Sequence, residues 1–150
     1  MLEIFVDADA CPVKDEIVRV AERHDLAVHM VSNRWMLSTE HPLVRRVVVP
    51  EGPDQADDWI AEHCGSGDVV VTADIPLAGR CLEAGARVLG PTGKPFDADN
   101  IGMARAMRDL NAELRDTGAI RGGGPSFGKA DRSRFLSALE NAIQAIKRGR

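Results

Sequence analysis

The sequence predicts a single α/β domain in which a mainly parallel sheet lies between two layers of helices. Strand-like and helix-like segments alternate along residues 1–100, as they do in βαβ units. Val69 to Val71 form an unbroken valine run, which indicates a strand buried on both faces, as in a parallel sheet. The chain has 150 residues and a hydrophobic share of 44%, enough for one domain with its own core. One domain is therefore expected over residues 1–150.

Five segments are predicted as strands from their β-branched residues and the turn residues around them. They cover residues 2–6, 26–31, 44–49, 68–72 and 87–89. Pro50 ends the third strand, and Gly90-Pro91 ends the fifth. Residues 92–97 are rich in turn-forming side chains, so no strand is expected after Leu89.

Helices are predicted where apolar residues recur every three or four positions. The first follows Pro12, which suits a first helical turn, and continues to His24. The second begins at about Asp54 and ends at Gly65, and the third extends from Pro76 to Gly85.

The C-terminal part, from about residue 99 to residue 150, is expected to be helical. One helix begins at Asp99 or Asn100 and ends near Gly118. A last helix carries an apolar stripe that is expected to pack on the core or on a second subunit. The stripe consists of Phe135, Leu136, Leu139, Ala142, Ile143 and Ile146.

Cysteine usage and hydropathy indicate a cytoplasmic protein. The three cysteines, Cys11, Cys64 and Cys81, are odd in number and far apart in sequence, which argues against a disulfide framework or a structural zinc site. No apolar run approaches the roughly 20 residues that a membrane helix needs. Cys11, beside Pro12 at a helix start, is either a thiol with a lowered pKa or, as favoured here, a buried structural thiol.

Acidic side chains follow two of the predicted strands and begin one of the predicted helices. Asp7 and Asp9 come after the first strand, and Asp74 comes after the valine strand. Asp54, Asp57 and Asp58 lie at the start of the second helix. In open α/β sheets, ligands bind beyond the carboxyl ends of the strands. Gathered carboxylates repel one another unless a cation neutralises them, and Mg²⁺ prefers oxygen ligands. The pattern therefore predicts a site for Mg²⁺ or Mn²⁺ that acts on phosphodiesters.

Each carboxylate also has a structural interpretation. Asp74 and Asp54 are well placed to cap the helices that follow them, and Asp9 to order the turn before Pro12. Asp57 and Asp58 suit a solvated helix surface. Asp7 is harder to explain in this way, because an unpaired charge directly after a buried strand is costly.

Several segments resemble the YaiI/YqxD family of bacterial proteins of uncharacterised function. They include DADACPVK from Asp7, the spacing of Asp54, Ala56, Asp57 and Ile60, and GDVVVTADIPLA from Gly67. Segments near Asn100, Met107, Leu114, Gly123 and Asp131 are also similar to the family. The resemblance covers nearly the whole chain.

The resemblance implies a three-layer, Rossmann-like fold of the PIN-domain type, with five mainly parallel strands in the order 3-2-1-4-5. It also implies a Mg²⁺- or Mn²⁺-dependent nuclease that acts on RNA. Asp7, Asp57 and Asp74, the last in a T-x-D string with Thr72, match the catalytic acidic positions of such nucleases. Asp9 and Asp54 would be supporting metal ligands.

Basic residues provide candidates for substrate binding. The body of the chain is acidic, whereas residues 101–150 are rich in Lys and Arg, a distribution that suits a polyanion partner or simply a solvated surface. Thr72 would orient a ligand or a phosphate. The basic candidates for contact with an RNA backbone are Lys14, Arg121, Lys129, Arg132 and Arg134.

Two other functions fit the same residues. A binding module of this fold would hold RNA or a nucleotide without cutting it. A haloacid-dehalogenase-type phosphatase would use Asp7-x-Asp9 and Thr72, but Cys11 stands where that class has Thr or Val. A homo-oligomer is compatible with each of the three hypotheses, and protein partners stay open.

Overall fold

The computed structural model describes residues 2–8, 11, 13–32, 42–50, 55–97 and 128–148. Its elements, in chain order, are β1 (Ile4–Asp7), α1 (Lys14–His24), β2 (Val28–Ser32), β3 (Val44–Val48), α2 (Gln55–His63), β4 (Val69–Val71), α3 (Ile75–Glu83), β5 (Arg87–Leu89), β6 (Pro95–Phe96) and α4 (Lys129–Lys147). The helix predicted to begin at Asp99 or Asn100 lies outside the described residues.

The strands form one sheet in the order β3-β2-β1-β4-β5-β6, and the first five are parallel. This confirms the predicted α/β class and the order of the first five strands. The reversal of strand order falls between β1 and β4, whose residues Ile4 and Val69 are paired. The carboxyl ends of these two central strands are therefore adjacent at one edge of the sheet.

The expectation that no strand follows Leu89 is wrong, because β6 pairs antiparallel with β5. A turn after β5 reverses the chain: the backbone N–H of Gly90 donates to the carbonyl of Lys94 at 2.9 Å. Gly93 makes this turn possible with φ of 89°. The two residues of β6 are too few to show an alternating pattern in the sequence. Pro95 is tolerated in this strand because β6 lies at the edge of the sheet.

Two apolar clusters cover the two faces of the sheet. On one face, α1 and α4 pack on side chains such as Ile4, Val6, Val69 and Val71. On the other face, α2 and α3 pack on residues that include Phe5 and Val70. Because neighbours in β4 alternate between the two clusters, the valine run is buried on both faces, and the three-layer prediction is confirmed.

The last helix, α4, lies along α1 and in the same direction. Arg132 near its start forms an ion pair with Glu16 at 3.1 Å, and Glu140 further along contacts Arg23 at 2.8 Å and His24 at 2.5 Å. Four residues of the stripe are buried in the same cluster as α1, namely Phe135, Leu139, Ala142 and Ile143, and the other two pack against it, so the stripe packs on the core. The four described helices, α1 to α4, therefore begin near the carboxyl edge of the sheet.

A search of the described residues for a membrane-spanning helix found none with the necessary length and apolar character.

We expect Gly93→Ala to destabilise the protein by about 2 kcal/mol or more, because an L-residue at positive φ is strained and a Cβ there would lie 2.7 Å from the carbonyl oxygen of Arg134. Gly67→Ala, where φ is positive but the space is open, should cost less, and Gly65→Ala should cost within about 0.5 kcal/mol. Urea denaturation measures all three. Equal stability of the Gly93 and Gly65 variants would contradict the described packing of this turn on α4.

Candidate functional site

Asp7 and Asp74 are connected through the hydroxyl group of Thr72 at the carboxyl edge of the sheet. The Thr72 hydroxyl donates to Oδ2 of Asp7 at 3.1 Å and accepts from the backbone N–H of Asp74 at 3.0 Å. Thr72 is only 2% exposed, whereas both aspartates are half-buried. The topology thus brings together two of the three residues that the sequence analysis assigned to catalysis.

The direction of these side chains follows from strand alternation. Phe5 and Val70 face the α2/α3 side of the sheet. Asp7 and Thr72 come two residues later in the same strands or directly after them, so they point to the same side. A polar pair at the end of two buried strands is therefore presented on the α2/α3 side.

Asp74 also caps α3. Its Oδ1 accepts from the backbone N–H of Leu77 at 3.0 Å, and Pro76 lies in the first turn of the helix. The capping interpretation of this residue is confirmed. A carboxylate has about four acceptor sites, so capping and ligand binding do not exclude each other.

The start of α2 contributes further carboxylates on this side. Asp57, half-buried in the first turn, has contacts of its own. Asp58 forms an ion pair with Arg80 of α3 at 2.8 Å, so this carboxylate links two helices. Asp9 and Asp54, the proposed supporting ligands, lie outside the described residues.

The donor set suits a hard divalent cation, because carboxylate oxygens are the protein ligands that Mg²⁺ and Mn²⁺ prefer. Among the described residues, however, no group of three His, Cys, Asp or Glu side chains is placed to hold a metal ion. The part of the chain that the structure describes therefore offers Asp7 and Asp74 with Thr72 between them. One or two carboxylates are a usual complement for Mg²⁺, which keeps several waters.

The basic candidates are distributed along the helix starts. Lys14 and Lys129 are the first residues of α1 and α4, respectively. Arg132 pairs with Glu16, and Arg134 pairs with Asp131 in the same helix. Arg121 lies outside the described residues. Of these candidates, Lys129 and Arg134 are exposed, and Lys14 and Arg132 are half-buried.

Cys11 is a half-buried thiol that packs against the α1/α4 apolar cluster. Burial raises its pKa from 9.0 to about 11, against smaller opposing effects of the Val13 backbone N–H and the Lys14 charge. The alternative of a lowered pKa at this helix start is wrong, because desolvation outweighs the nearby positive charge.

The other two cysteines are closer in space than the sequence suggests. Cys64 and Cys81 share the α2/α3 apolar cluster, and their interaction lowers the pKa of the Cys64 thiol and raises the pKa of the Cys81 thiol. Both thiols are free, as expected. Their separation in sequence hides the contact, and only their positions on the buried faces of α2 and α3 hint at it.

Comparison with known proteins identifies the family. A family model described as an uncharacterized family, YaiI/YqxD, matches residues 5–145. The chain belongs to the YaiI/YqxD family. The match includes every described residue of the Asp7–Thr72–Asp74 arrangement, which is thus part of the family's own domain.

Curated relatives of this YaiI/YqxD protein align with it end to end. A UPF0178 protein of Parvibaculum lavamentivorans is 66% identical over 148 residues, which are 99% of this chain and 97% of the relative. A UPF0178 protein of Rhodospirillum rubrum is 61% identical and covers 99% of this chain and 100% of the relative. A third, from Rhodopseudomonas palustris, is 55% identical over 100% of this chain and 95% of the relative. No solved structure matches the chain.

We expect Thr72→Val to destabilise the YaiI/YqxD protein by about 1–3 kcal/mol, because both the Asp7 carboxylate and the Asp74 N–H lose a partner at a buried position. Thr72→Ser keeps the hydroxyl and should cost about 1 kcal/mol, the value of a buried methyl group. Urea denaturation compares the two variants. A valine variant as stable as the serine variant would contradict the hydrogen-bonded connection.

We expect Cys11 to resist iodoacetamide at pH 8, since a pKa of about 11 leaves about 100-fold less thiolate than a pKa of 9.0. The folded state disfavours the thiolate, so the associated stability is present below pH 9 and is lost as the pH rises towards 11. Peptide mapping by mass spectrometry follows the labelling, with urea-unfolded protein as the control. Labelling of the folded chain as fast as the unfolded control would refute the assignment.

Proposed function

We propose that this protein is a metal-dependent phosphodiesterase that hydrolyses RNA at the carboxyl edge of its sheet. The observation that supports this most directly is the Asp7–Thr72–Asp74 arrangement, which puts two carboxylates at adjacent strand ends around one buried hydroxyl. Catalytic sites of open α/β sheets are usually found at this position. An Asp after the first strand and a T-x-D string after a later strand also agree with the resemblance to PIN-type nucleases.

Asp7 and Asp74 would hold the cation, with Asp57 as an additional ligand, directly or through water. Asp9 and Asp54 belong to the same proposal as supporting ligands. When bound, Mg²⁺ or Mn²⁺ supplies an activated water and neutralises negative charge on the phosphoryl group.

Thr72 acts in this proposal as a positioning residue. Its hydroxyl hydrogen is directed at Asp7, and its low exposure of 2% keeps it away from substrate. We therefore assign it to the orientation of Asp7 rather than to direct substrate binding. A carboxylate held in one rotamer loses less conformational freedom when it binds a ligand.

The reaction is the addition of water across a phosphodiester bond. A water oxygen forms a bond to phosphorus, the bond from phosphorus to one ester oxygen breaks, and that oxygen takes up a proton. Because the phosphodiester is an anion, two unneutralised carboxylates would repel it. The proposal therefore requires a bound cation between the carboxylates and the substrate.

The choice of RNA as the substrate rests on the resemblance and on the basic helix starts. Lys14 begins α1, which follows β1 and Asp7, and Lys129 begins α4. The N-terminus of a helix attracts anions through its free N–H groups and its dipole. Lys14, Lys129, Arg132, Arg134 and Arg121 are proposed to contact the RNA backbone.

A non-catalytic RNA-binding module is the second candidate. The observation that favours it is the pair of cations at two helix starts, Lys14 and Lys129, which would hold an RNA backbone without a metal ion. Under this alternative, RNA binding would survive chelation of divalent ions and would fall with rising salt. No product would form with any divalent metal.

We expect Asp7→Asn and Asp74→Asn each to reduce Mn²⁺-dependent cleavage of a single-stranded RNA by about 100-fold or more, since each removes a charged ligand of the cation. Asn still accepts hydrogen bonds at both positions, so the melting temperature should change little. Asp58→Asn is the matched control, because Asp58 is engaged with Arg80 and its loss should leave cleavage unchanged. Gel analysis of labelled RNA measures the rates, and a circular dichroism melt measures stability.

Full cleavage by the Asp7 or the Asp74 variant would refute the phosphodiesterase proposal. RNA binding without cleavage by the wild-type protein in Mn²⁺ or Mg²⁺ would favour the binding module instead.

A further inference from the structure

An open pocket lies between the β5–β6 turn and the first half of α4. Its volume is about 760 Å³. The lining residues are Thr92, Gly93, Lys94, Asp131, Ser133, Arg134, Ser137, Ala138 and Asn141. We call it the Lys94–Arg134 pocket, after the two cations that line it from opposite sides.

The pocket is held in shape by close packing at Gly93. This residue touches α4 so tightly that a Cβ would lie 2.7 Å from the Arg134 carbonyl oxygen and 3.0 Å from the Cα of Phe135. Phe135 is itself fully buried, so this part of α4 is anchored in the core. Lys94, next to Gly93, is therefore presented on the same pocket as Arg134.

The chemistry of the lining suits a phosphate group. Ser133 and Ser137 are one helical turn apart on α4, and Thr92 faces them from the turn. Two cations with three hydroxyl groups provide ionic and hydrogen-bonding partners for a phosphodiester oxygen.

Among the described residues of the lining, Asp131 is the one carboxylate, and it is already engaged. It accepts from the backbone N–H of Gly128 at 3.0 Å and forms an ion pair with Arg134. The lining carries a net positive charge, because Lys94 and Arg134 outnumber Asp131. Asp131 nonetheless weakens the attraction of the pocket for an anion. Removal of its negative charge should therefore strengthen anion binding.

The chain segment that lines the pocket is hydrogen-bonded to the segment that carries the acidic site. The N–H of Thr72 donates to the carbonyl of Leu89 at 3.1 Å, and Leu89 directly precedes the turn that lines the pocket. The carboxylates lie on the α2/α3 side of the sheet, and the pocket lies on the α4 side. A nucleic-acid strand that contacts both places would therefore have to cross this edge of the sheet.

We propose that the Lys94–Arg134 pocket binds a backbone phosphate of a single-stranded RNA whose scissile phosphodiester lies at the acidic site. The proposal rests on the phosphodiesterase function for its choice of ligand. Lys94 and Arg134 pair with the phosphate, and Ser133, Ser137 and Thr92 donate hydrogen bonds to it. We expect RNA binding to be independent of the RNA sequence, because none of these contacts involves a base.

The test is fluorescence anisotropy with a short fluorescein-labelled oligouridylate in EDTA, so that binding is measured without cleavage. Lys94→Ala/Arg134→Ala should bind about tenfold more weakly, the loss expected from two exposed ion pairs. The slope of log K against log salt should become shallower by about 1.4 for two lost contacts. Arg19→Ala/Arg45→Ala removes the same charge from exposed positions on α1 and β3, and serves as the matched control.

Asp131→Asn is expected to change the oligonucleotide affinity in the opposite direction. The asparagine side chain would keep an acceptor for the Gly128 N–H while the negative charge is lost, so the oligonucleotide should bind more tightly. Lys94→Ala alone is the second test of the cations, because Lys94 is an exposed turn residue whose truncation leaves the Arg134–Asp131 pair in place. A circular dichroism melt confirms that each variant is folded.

Hydrolysis of bis(p-nitrophenyl) phosphate in Mn²⁺ separates this inference from the proposed function. This small diester has no second phosphate that could occupy the pocket, so Lys94→Ala should hydrolyse it at the wild-type rate. If the wild-type protein hydrolyses neither this diester nor RNA but the binding results hold, the phosphodiesterase function fails and the pocket stands. If the double variant binds the oligonucleotide as well as the control does, the pocket assignment is overturned.

Discussion

The buried hydroxyl of Thr72 is the contact on which the organisation of the candidate site depends. It donates to a carboxylate at the end of β1 and accepts from the backbone that starts α3, so it joins two chain segments that are 65 residues apart. Without it, an aspartate next to two buried strands would lose a donor, and a backbone N–H would lose its acceptor, both of which are costly. The threonine therefore lowers the cost of placing a charged group at this edge of the sheet.

Contacts of the helices fix the positions of the other residues at the carboxyl edge of the sheet. Ion pairs between α1 and α4 hold the two helices side by side, and the close approach of Gly93 fixes the β5–β6 turn against α4. The carboxylates consequently lie on one side of the sheet edge, and the Lys94–Arg134 pocket lies on the other. This separation of charge is compatible with a cation and a polyanion bound by one small domain.

Most of the fold could be predicted because long, periodic segments carry strong signals. The unbroken valines of β4 and the stripe that begins at Phe135 predicted a buried strand and a core-facing helix, and both are confirmed. β6 was missed because two residues starting with Pro95 have no period to detect. The contact between Cys64 and Cys81 was also missed, since nothing in a linear spacing reports which faces of α2 and α3 meet.

The sequence by itself determined which residues follow the strands. It placed Asp7 and Asp74 at strand ends and showed that Asp74 was suited to cap a helix, because these are local properties of the chain. Only the tertiary structure decided that both aspartates share one hydroxyl, that Asp58 is engaged with Arg80, and that Lys94 faces Arg134. The physical reason is that these contacts depend on strand order and helix packing, which join residues far apart in the chain.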